Sequence, residues 1–326
     1  MSQKKNSITM TITQERQTNQ QYALARLGKS AADKQTMTVE AARVIFAPAA
    51  EVWEELTTLE NWKSWQGELV LSARWTKGKK FEADAEFEQL LQLGFPLGKT
   101  ISKERIGEVI PGELLAWWKE ENGVASCHVW RLESLAPDAT LVTNTEVFAG
   151  KAIPFLRPLV AGRWQRAFDC AVAGLEAQFN TSDFEINEKA PVTGEAWLRM
   201  DAPAEKVWSV LTDVENWPAW QSAVSQATLN GPVQKDTTFD WKANGMNIHS
   251  EFTVVKPTEF LTWKGRMLWI DAVHAWRFLP LDDGSTVVVV KESLEGAGIR
   301  WIFGRQKLKD SLEASLEELR GRVIEG

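Results

Sequence analysis

The sequence has few of the residues from which metal sites and disulfide frameworks are built. Its 326 residues include only two cysteines, Cys127 and Cys170, and three histidines. No CxxC spacing is present, so a disulfide scaffold or a zinc knuckle has no support, and we expect neither a metal ion nor another cofactor. Such sparing use of cysteine fits a reduced, cytoplasmic protein.

Long apolar runs and an excess of basic residues are also missing. No segment approaches the roughly 18 to 20 apolar residues that span a bilayer, so we expect no integral membrane association. The formal net charge of −7 makes nucleic acid an unfavourable partner. No GxGxxG, P-loop or GxSxG motif is present, which makes a non-enzymatic role the first expectation without excluding catalysis.

Tryptophan, by contrast, is abundant and recurs within a repeat. The chain has 17 tryptophans against a single tyrosine. The segment 52–66 contains three of them and returns 155 positions later as 207–221. A second match joins 127–132 to 273–278 at a spacing of 146. An internal repeat of this kind predicts two domains of the same architecture.

Each copy shows the same order of predicted elements. Alternation of period two predicts a first strand at 38–46 and at 192–200, and Pro48 and Pro203 mark the start of a helix. A turn then returns two tryptophans to the core, and about six short strands follow. An amphipathic helix closes each copy. Its predicted apolar stripe comprises Val160, Trp164, Phe168, Ala171, Leu175 and Phe179, and in the second copy Leu308, Leu312, Leu316, Leu319 and Val323.

Two polar segments set the predicted domain boundaries. Residues 1–36 are rich in Gln, Thr, Ser and Asn and carry six Lys or Arg against two acids, which predicts a polar, disordered tail rather than a signal peptide. Residues 181–191 are mostly polar and end in proline, which predicts a linker. The predicted domains are therefore 37–180 and 192–326.

Two short patterns, Pro-Ala-x-x-Val-Trp and Asn-Trp-x-x-Trp, occur in each copy beside this order of elements. Together they resemble the SRPBCC superfamily, which includes START lipid-transfer domains and polyketide cyclase/dehydrase-like proteins. The resemblance implies an α+β protein of two tandem helix-grip domains, in which a curved antiparallel sheet wraps a long C-terminal helix. Members use the enclosed apolar cavity for hydrophobic ligands, and some are aromatases or cyclases, so the fold alone names no activity.

Strand parity predicts that one histidine in each copy points into the domain. Successive side chains of a strand lie on opposite faces. His128 therefore shares a face with Trp130, and His274 shares a face with Trp276. Because these faces carry the apolar residues of their strands, we expect both histidines to face the interior.

A glutamate is expected opposite each of these histidines. A three-residue hairpin loop ending in Gly284 would pair His274 with Glu292, and the same arithmetic places His128 opposite Glu146. Such a pair could bind the polar end of a ligand or act as acid and base. The alternative is that the two groups only satisfy each other and fix the sheet register.

Tryptophans on the strands are the remaining candidates for cavity lining. They are Trp117, Trp130, Trp263 and Trp276. Flat indoles favour aromatic or polycyclic ligands, and plain core packing is the alternative. Asn144 is a further candidate ligand-binding residue, and because Val290 aligns with it, we expect the first cavity to be the more polar one. His249 aligns with Ser102, which argues against a role shared by both domains.

The expected function is binding, carrying or sensing of a small hydrophobic, aromatic or lipid-like ligand in one or both cavities. One alternative is an enzyme of the cyclase, aromatase or dehydratase type, with His128 and Glu146 or His274 and Glu292 as acid–base pairs. Another is an intramolecular pseudo-dimer that holds no ligand and presents a surface to a protein partner.

Overall fold

The computed structural model describes residues 17–66, 69–94, 98–121, 123–179, 186–187 and 189–325. Residues 1–16 of the predicted tail and most of the predicted linker therefore lie outside the described residues. Within them the chain forms two seven-stranded antiparallel sheets, each accompanied by helices. The predicted α+β class and the tandem arrangement of two similar domains are confirmed.

The first sheet has the strand order β1-β7-β6-β5-β4-β3-β2. Its strands are β1 (Thr36–Ile45), β2 (Val70–Lys77), β3 (Glu86–Gly94), β4 (Gly98–Ile110), β5 (Leu114–Glu121), β6 (Val124–Ala136) and β7 (Ala139–Gly150). Strands β2 to β7 follow one another as neighbours, which is the six-stranded meander predicted from the turn residues. Strand β1 lies at the edge beside β7.

The second sheet repeats this topology in the order β8-β14-β13-β12-β11-β10-β9. Its strands are β8 (Val192–Met200), β9 (Val224–Leu229), β10 (Thr238–Ala243), β11 (Met246–Lys256), β12 (Phe260–Met267), β13 (Ile270–Pro280) and β14 (Thr286–Glu295). The strands of the second copy are mostly shorter, in line with the smaller repeat spacing in its later part.

Two pairs of helices occupy corresponding places in the two copies, α2 with α5 and α4 with α7. The helices are α1 (Asn19–Arg26), α2 (Ala49–Thr57), α3 (Trp62–Trp65), α4 (Ile153–Glu176), α5 (Ala204–Thr212), α6 (Ile299–Ile302) and α7 (Arg305–Glu325). Helices α2 and α5 begin directly after Pro48 and Pro203, as predicted, because proline has the backbone angle that a first helical turn requires.

The chain leaves helix α2 in the first copy and helix α5 in the second copy in the same way. The indole Nε1 of Trp62 donates a 2.8 Å hydrogen bond to the carbonyl oxygen of Leu56, and Trp217 makes the same 2.8 Å bond to Leu211. Each bond satisfies a carbonyl at a helix end that lacks a partner further along the helix. The repeated tryptophan therefore ends the helix and packs in the core.

The long closing helices bury the apolar stripes predicted for them. In α7 the five predicted residues Leu308, Leu312, Leu316, Leu319 and Val323 are all buried. They belong to one core cluster with inward-facing strand residues such as Phe239, Phe252 and Val288. In α4 the predicted Val160, Phe168, Ala171 and Leu175 are buried, while Trp164 and Phe179 are partly exposed.

The prediction of a disordered tail over 1–36 is corrected for its described part. Residues 19–26 form α1, whose Ala23 and Leu24 pack on the outer face of the first sheet against residues such as Val129. Buried Asn19 donates to the carbonyl oxygens of Val129 and Thr143. The outer face of β5 and β6 is apolar enough to bury one side of a helix. The polar composition of residues 1–36 did not indicate this contact.

The chain divides into two compact units. The first comprises the described residues up to Ala42 with Glu55–Leu132 and Thr143–Val172, and the second comprises Arg43–Glu54, Glu133–Val142 and the chain from Ala173 onward. These limits differ from the predicted 37–180 and 192–326, because the end of β1 and the β6–β7 hairpin pack with the second unit. Val44 and Ala139 share a core cluster there with Val287 and Val289.

Strand β14 is buried on both faces for this reason. Lys291 and Ser293, which parity places on the outer face, are buried as well. The Lys291 ammonium lies 2.5 Å from the Glu176 carboxylate and 3.3 Å from that of Glu195, so the buried charge is paired.

Candidate functional site

The second unit places His274 directly opposite Glu292, as predicted. Leu281 donates to the Ser285 carbonyl at 2.8 Å, and Gly284 adopts a φ of +81°, which closes the three-residue loop. The β13–β14 register then pairs His274 with Glu292. The His274 Nε2 lies 2.9 Å from Glu292 Oε1, which is hydrogen-bond distance.

This pair lies on the wall of a cavity of about 230 Å³ inside the second unit. Most of the wall is apolar, and helix α7 contributes one side of it through Leu308 and Leu312. The wall residues on the sheet are Val224, Trp241, Ala243, Met246, Ile248, Ser250, Trp263, Gly265, Met267, Ile270, Ala272, His274, Trp276, Glu292 and Leu294. His274 and Glu292 are thus a polar site within an apolar chamber, which is the usual composition of a ligand pocket.

Stacked aromatic rings flank the histidine. The Trp263 ring lies 5.1 Å from the His274 ring at an angle of 16°, and 6.0 Å from the Trp276 ring at 19°. These near-parallel rings on neighbouring strands belong to residues that all line the cavity. An aromatic wall of this kind suits an aromatic ligand.

Two buried donors on this wall lack a partner among the described residues. The indole Nε1 atoms of Trp263 and Trp276 are buried and make no hydrogen bond. By contrast, the Nε1 of Trp241, also on the wall, donates to the Ser250 hydroxyl at 3.0 Å. The buried Nε1 of Trp130, which holds the place of Trp276 in the first unit, also lacks a partner within the described ranges, so these missing partners are a feature of both copies.

The first unit brings His128, Asn144 and Glu146 together, as the sequence predicted. Burial lowers the pKa of His128 to about 3 and raises the pKa of Glu146 to about 7. The His128 Nε2 donates to Asn144 Oδ1 at 2.5 Å, while its Nδ1 lies 3.6 Å from Glu146 Oε2. At that distance, and with a neutral imidazole, the contact with Glu146 is not an ion pair.

The imidazole of His128 is packed tightly between aromatic rings. It lies 4.4 Å from Trp117 and 5.1 Å from Phe168, and Trp130 stacks at 6.0 Å. Trp117 and Trp130 are both fully buried. In this unit the predicted lining residues therefore have the contacts of a packed core.

A buried polar cluster that sequence reasoning missed lies on the inner face of the first sheet. The Lys119 ammonium lies 3.4 Å from Glu104 Oε1 and donates to the Ser102 hydroxyl. The same Glu104 oxygen accepts from Ser102 at 2.5 Å and from Gln89 at 3.4 Å. Although burial lowers the pKa of Lys119, the Glu104 and Glu146 carboxylates raise it above its ordinary value. The lysine therefore stays charged and is held in place.

The second unit has small or apolar residues at the matching positions. Lys119 lies two residues after Trp117, and Gly265 lies two residues after Trp263 on the matching strand. Gln89 and Ser102 pair on β3 and β4, where the second unit pairs Trp241 with Ile248. The second unit therefore has glycine and apolar side chains on its cavity wall at the positions where the first unit has the Lys119 cluster.

The register also corrects the alignment of His249. Because Ser102 matches Ile248, His249 matches Lys103 rather than Ser102. The His249 side chain is exposed and its Nδ1 lies 2.8 Å from Asp240 Oδ1, outside the cavity. Elsewhere in the described part of the chain, no cluster of three or more His, Cys, Asp or Glu side chains is arranged to hold a metal ion.

Comparison with known proteins identifies the family of the sequence. The family profile described as "Polyketide cyclase / dehydrase and lipid transport" matches residues 36–180 and 195–323. A comparison with curated protein sequences finds no match. None of the helices in the described ranges has the length and apolar composition needed to cross a bilayer.

Several solved structures are similar to the chain. The di-domain ARO/CYC BexL from the BE-7585A biosynthetic pathway is 16% identical, with 88% of this chain and 97% of that chain covered and a TM-score of 0.35. The di-domain ARO/CYC StfQ from the steffimycin pathway is 17% identical, with 88% and 98% covered and a TM-score of 0.36. The Zhui aromatase/cyclase from Streptomyces sp. R1128 is 15% identical, with 45% and 98% covered and a TM-score of 0.38.

Proposed function

Because the chain belongs to the polyketide cyclase/dehydrase and lipid transport family, we propose that its second unit binds a small hydrophobic ligand. The observation that carries this proposal is the apolar cavity of about 230 Å³ with the His274–Glu292 pair on its wall. The His274–Glu292 pair on an otherwise apolar wall favours a ligand with one polar end, such as a carbonyl group.

The cavity volume limits the size of the ligand. A cavity of about 150 Å³ holds one benzene molecule, so 230 Å³ accommodates roughly one or two rings or a short acyl chain. Pockets for drug-sized ligands are larger, about 300 to 1,000 Å³. We therefore propose a one-ring or two-ring aromatic ligand with a carbonyl group, smaller than the polycyclic ligands expected from the tryptophan content.

We propose that the first unit serves stability rather than ligand binding. Its corresponding interior positions carry the charged Lys119 cluster, and its His128 is enclosed by aromatic rings. A ligand entering there would have to displace a paired buried charge, which is costly. We also propose a cytoplasmic location, which the scarcity of cysteine supports.

Filling the cavity tests the proposal. Ala272 lies on the cavity wall, so Ala272→Leu adds three heavy atoms to the space. The matched control is Val273→Leu, the next residue on β13, whose side chain lies on the opposite face. Titration calorimetry with 2-acetylnaphthalene, a two-ring aromatic ketone, should show binding to the wild type and to Val273→Leu and at least tenfold weaker binding to Ala272→Leu.

The calorimetric result has a clear contrary outcome. Equal affinity for all three proteins would place the ligand outside the cavity and overturn the proposal. Absence of binding to the wild type, both for this ketone and for a panel of one-ring and two-ring carbonyl compounds, would overturn it as well. The hydrocarbon 2-ethylnaphthalene serves as a probe without an acceptor and should bind more weakly than the ketone.

A second candidate function is catalysis by His274 and Glu292, because both side chains line the cavity and lie 2.9 Å apart. The imidazole would take a proton from the carbon beside a bound carbonyl, and the carboxylate would stabilise the imidazolium that forms. His274→Gln should then retain ligand affinity and lose turnover of a ketone substrate. If the wild type turns over no member of the panel that it binds, the binding function alone stands.

A further inference from the structure

The second unit exposes large apolar side chains beside its cavity. Trp301 is 93% exposed, Leu268 is 71% exposed and Trp269 is 55% exposed. Tryptophan has a large apolar side chain and is highly buried on average, so exposure to this extent is unusual. These three residues are called the tryptophan patch below.

The patch is one continuous surface formed by two chain segments. Leu268 and Trp269 form the β12–β13 turn, and Trp301 lies on α6. The two segments touch, because the Trp269 Nε1 donates to the Ala297 carbonyl at 3.3 Å. Their chain neighbours Met267, Ile270 and Phe303 line the cavity, so the patch borders the ligand site.

Basic residues lie close to Trp301 in the sequence although the protein as a whole is acidic. The segment 296–309 carries Arg300, Arg305, Lys307 and Lys309 and no acidic residue, in a chain of net charge −7. Arg300, Arg305 and Lys307 are exposed. The acid nearest in sequence on the β12–β13 turn, Asp271, is paired with Arg266 at 2.7 Å. Between Glu295 and Asp310, which border it, this segment is therefore positive and apolar at once.

The same combination recurs in the first unit. There the segment 150–168 carries four basic residues and no acid. It also exposes large apolar side chains at the start of α4, since Phe155 is 80% exposed. Phe155 and Trp301 are separated by 146 residues, the spacing of the second sequence match. An exposed aromatic side chain next to basic residues therefore occurs at the same place in both copies.

We propose that the tryptophan patch docks the second unit on a bilayer surface that contains anionic lipid. Tryptophan and leucine enter the interfacial region of a bilayer, and each basic residue near an anionic leaflet strengthens binding. A second copy of the chain fits less well, because a symmetric interface would place the basic segments against each other. The docked orientation brings the cavity next to the hydrocarbon from which an apolar ligand is drawn.

Vesicle flotation of the full-length protein tests the proposal. We compare vesicles of phosphatidylcholine alone with vesicles that also contain about 30% phosphatidylglycerol. The wild type should float with the anionic vesicles at low salt, and binding should weaken at high salt because screening removes the charge attraction. Trp269→Ser combined with Trp301→Ser should lower the partition coefficient about tenfold.

Charge reversal provides a second variant that keeps the apolar patch. Arg305→Glu combined with Lys307→Glu should lower partitioning about 30-fold or more, from the loss of two favourable charges. The matched controls are Ile324→Ser, an exposed apolar residue at the far end of α7, and Lys235→Glu, an exposed lysine shortly before β10. Both controls should partition like the wild type.

Three outcomes would overturn the proposal. They are no binding of the wild type to anionic vesicles, patch variants that partition like the wild type, or patch variants that only convert a dimer into a monomer in gel filtration. None of the variants alters a cavity-lining residue. Ketone affinity measured by calorimetry should therefore stay unchanged, which keeps this test separate from the test of ligand binding.

Discussion

Replacing Glu146 by glutamine should stabilise the protein at alkaline pH and leave its stability almost unchanged at acid pH. Burial raises the pKa of Glu146 from 4.5 to about 7. An acid whose pKa is raised on folding contributes its full stability below the unfolded pKa, and this stability is lost as the pH rises from 4.5 to 7. Above pH 7 the folded protein holds a buried carboxylate at a constant cost.

The size of the effect follows from the pKa difference. A pKa difference of one corresponds to 1.36 kcal/mol. The rise from 4.5 to about 7 therefore corresponds to a loss of at most roughly 3 kcal/mol in the free energy of unfolding at pH 8. Glutamine is uncharged at every pH and retains an oxygen for the neighbouring Ser126 hydroxyl. We therefore expect Glu146→Gln to gain up to about 3 kcal/mol at pH 8 and less than about 1 kcal/mol at pH 5.

Urea unfolding followed by tryptophan fluorescence measures this difference, since the 17 tryptophans report on both copies. Glu120→Gln, an exposed carboxylate of the same unit, is the control and should change stability at neither pH. If Glu146→Gln destabilises the protein at pH 8, then the ionised Glu146 carboxylate gains more from its neighbours than its burial costs. That result would refute the raised pKa of Glu146.

Three further predictions concern the first unit. Lys119→Met should destabilise the protein by about 3 kcal/mol in urea unfolding, because it leaves the buried Glu104 carboxylate without its partner; a change below about 1 kcal/mol would contradict the paired cluster. Leu24→Ala should cost about 2 kcal/mol and increase hydrogen exchange in α1, whereas an unchanged exchange rate would show that α1 does not rely on this contact. Burial lowers the pKa of His128 to about 3, so stability should fall as the pH drops from 6.5 towards 3, and His128→Gln should remove that fall in acid urea titrations.

The sequence was sufficient for the parts of the fold that depend on local rules. Proline position located the starts of α2 and α5, and the hairpin loop at Gly284 determined which residues of β13 and β14 face each other. The pairing of His274 with Glu292 followed from that loop alone. Period and turn geometry are properties of neighbouring residues, so a single sequence contains them.

The parts that could not be predicted depend on contacts between distant segments. The Lys119 cluster joins β3, β4 and β5, and β4 pairs with β5 through an irregularity between Ile106 and Val109 that shifts the register. A shift of this kind cannot be derived from loop arithmetic. Docking of α1 was missed because a polar segment needs only a few apolar residues, such as Leu24, to bind an apolar sheet face.

For the β6–β7 turn, hairpin arithmetic predicted the contact between His128 and Glu146 correctly but the length of the loop incorrectly. We predicted a three-residue loop over 136–138, but β6 ends at Ala136 and β7 begins at Ala139. His128 and Glu146 nevertheless lie together. Parity therefore predicted the faces correctly in this hairpin, whereas the loop length was wrong.

The most direct test of ligand binding in the second unit is nuclear magnetic resonance of the indole N–H groups during titration with 2-acetylnaphthalene. We predict that the Nε1 proton resonances of Trp263 and Trp276 shift, because the aromatic rings of the ligand lie against these two residues on the cavity wall. The Nε1 proton of Trp62, already bonded to the Leu56 carbonyl in the first unit, should stay in place. Unchanged resonances of Trp263 and Trp276 at saturating ketone would contradict the proposed site.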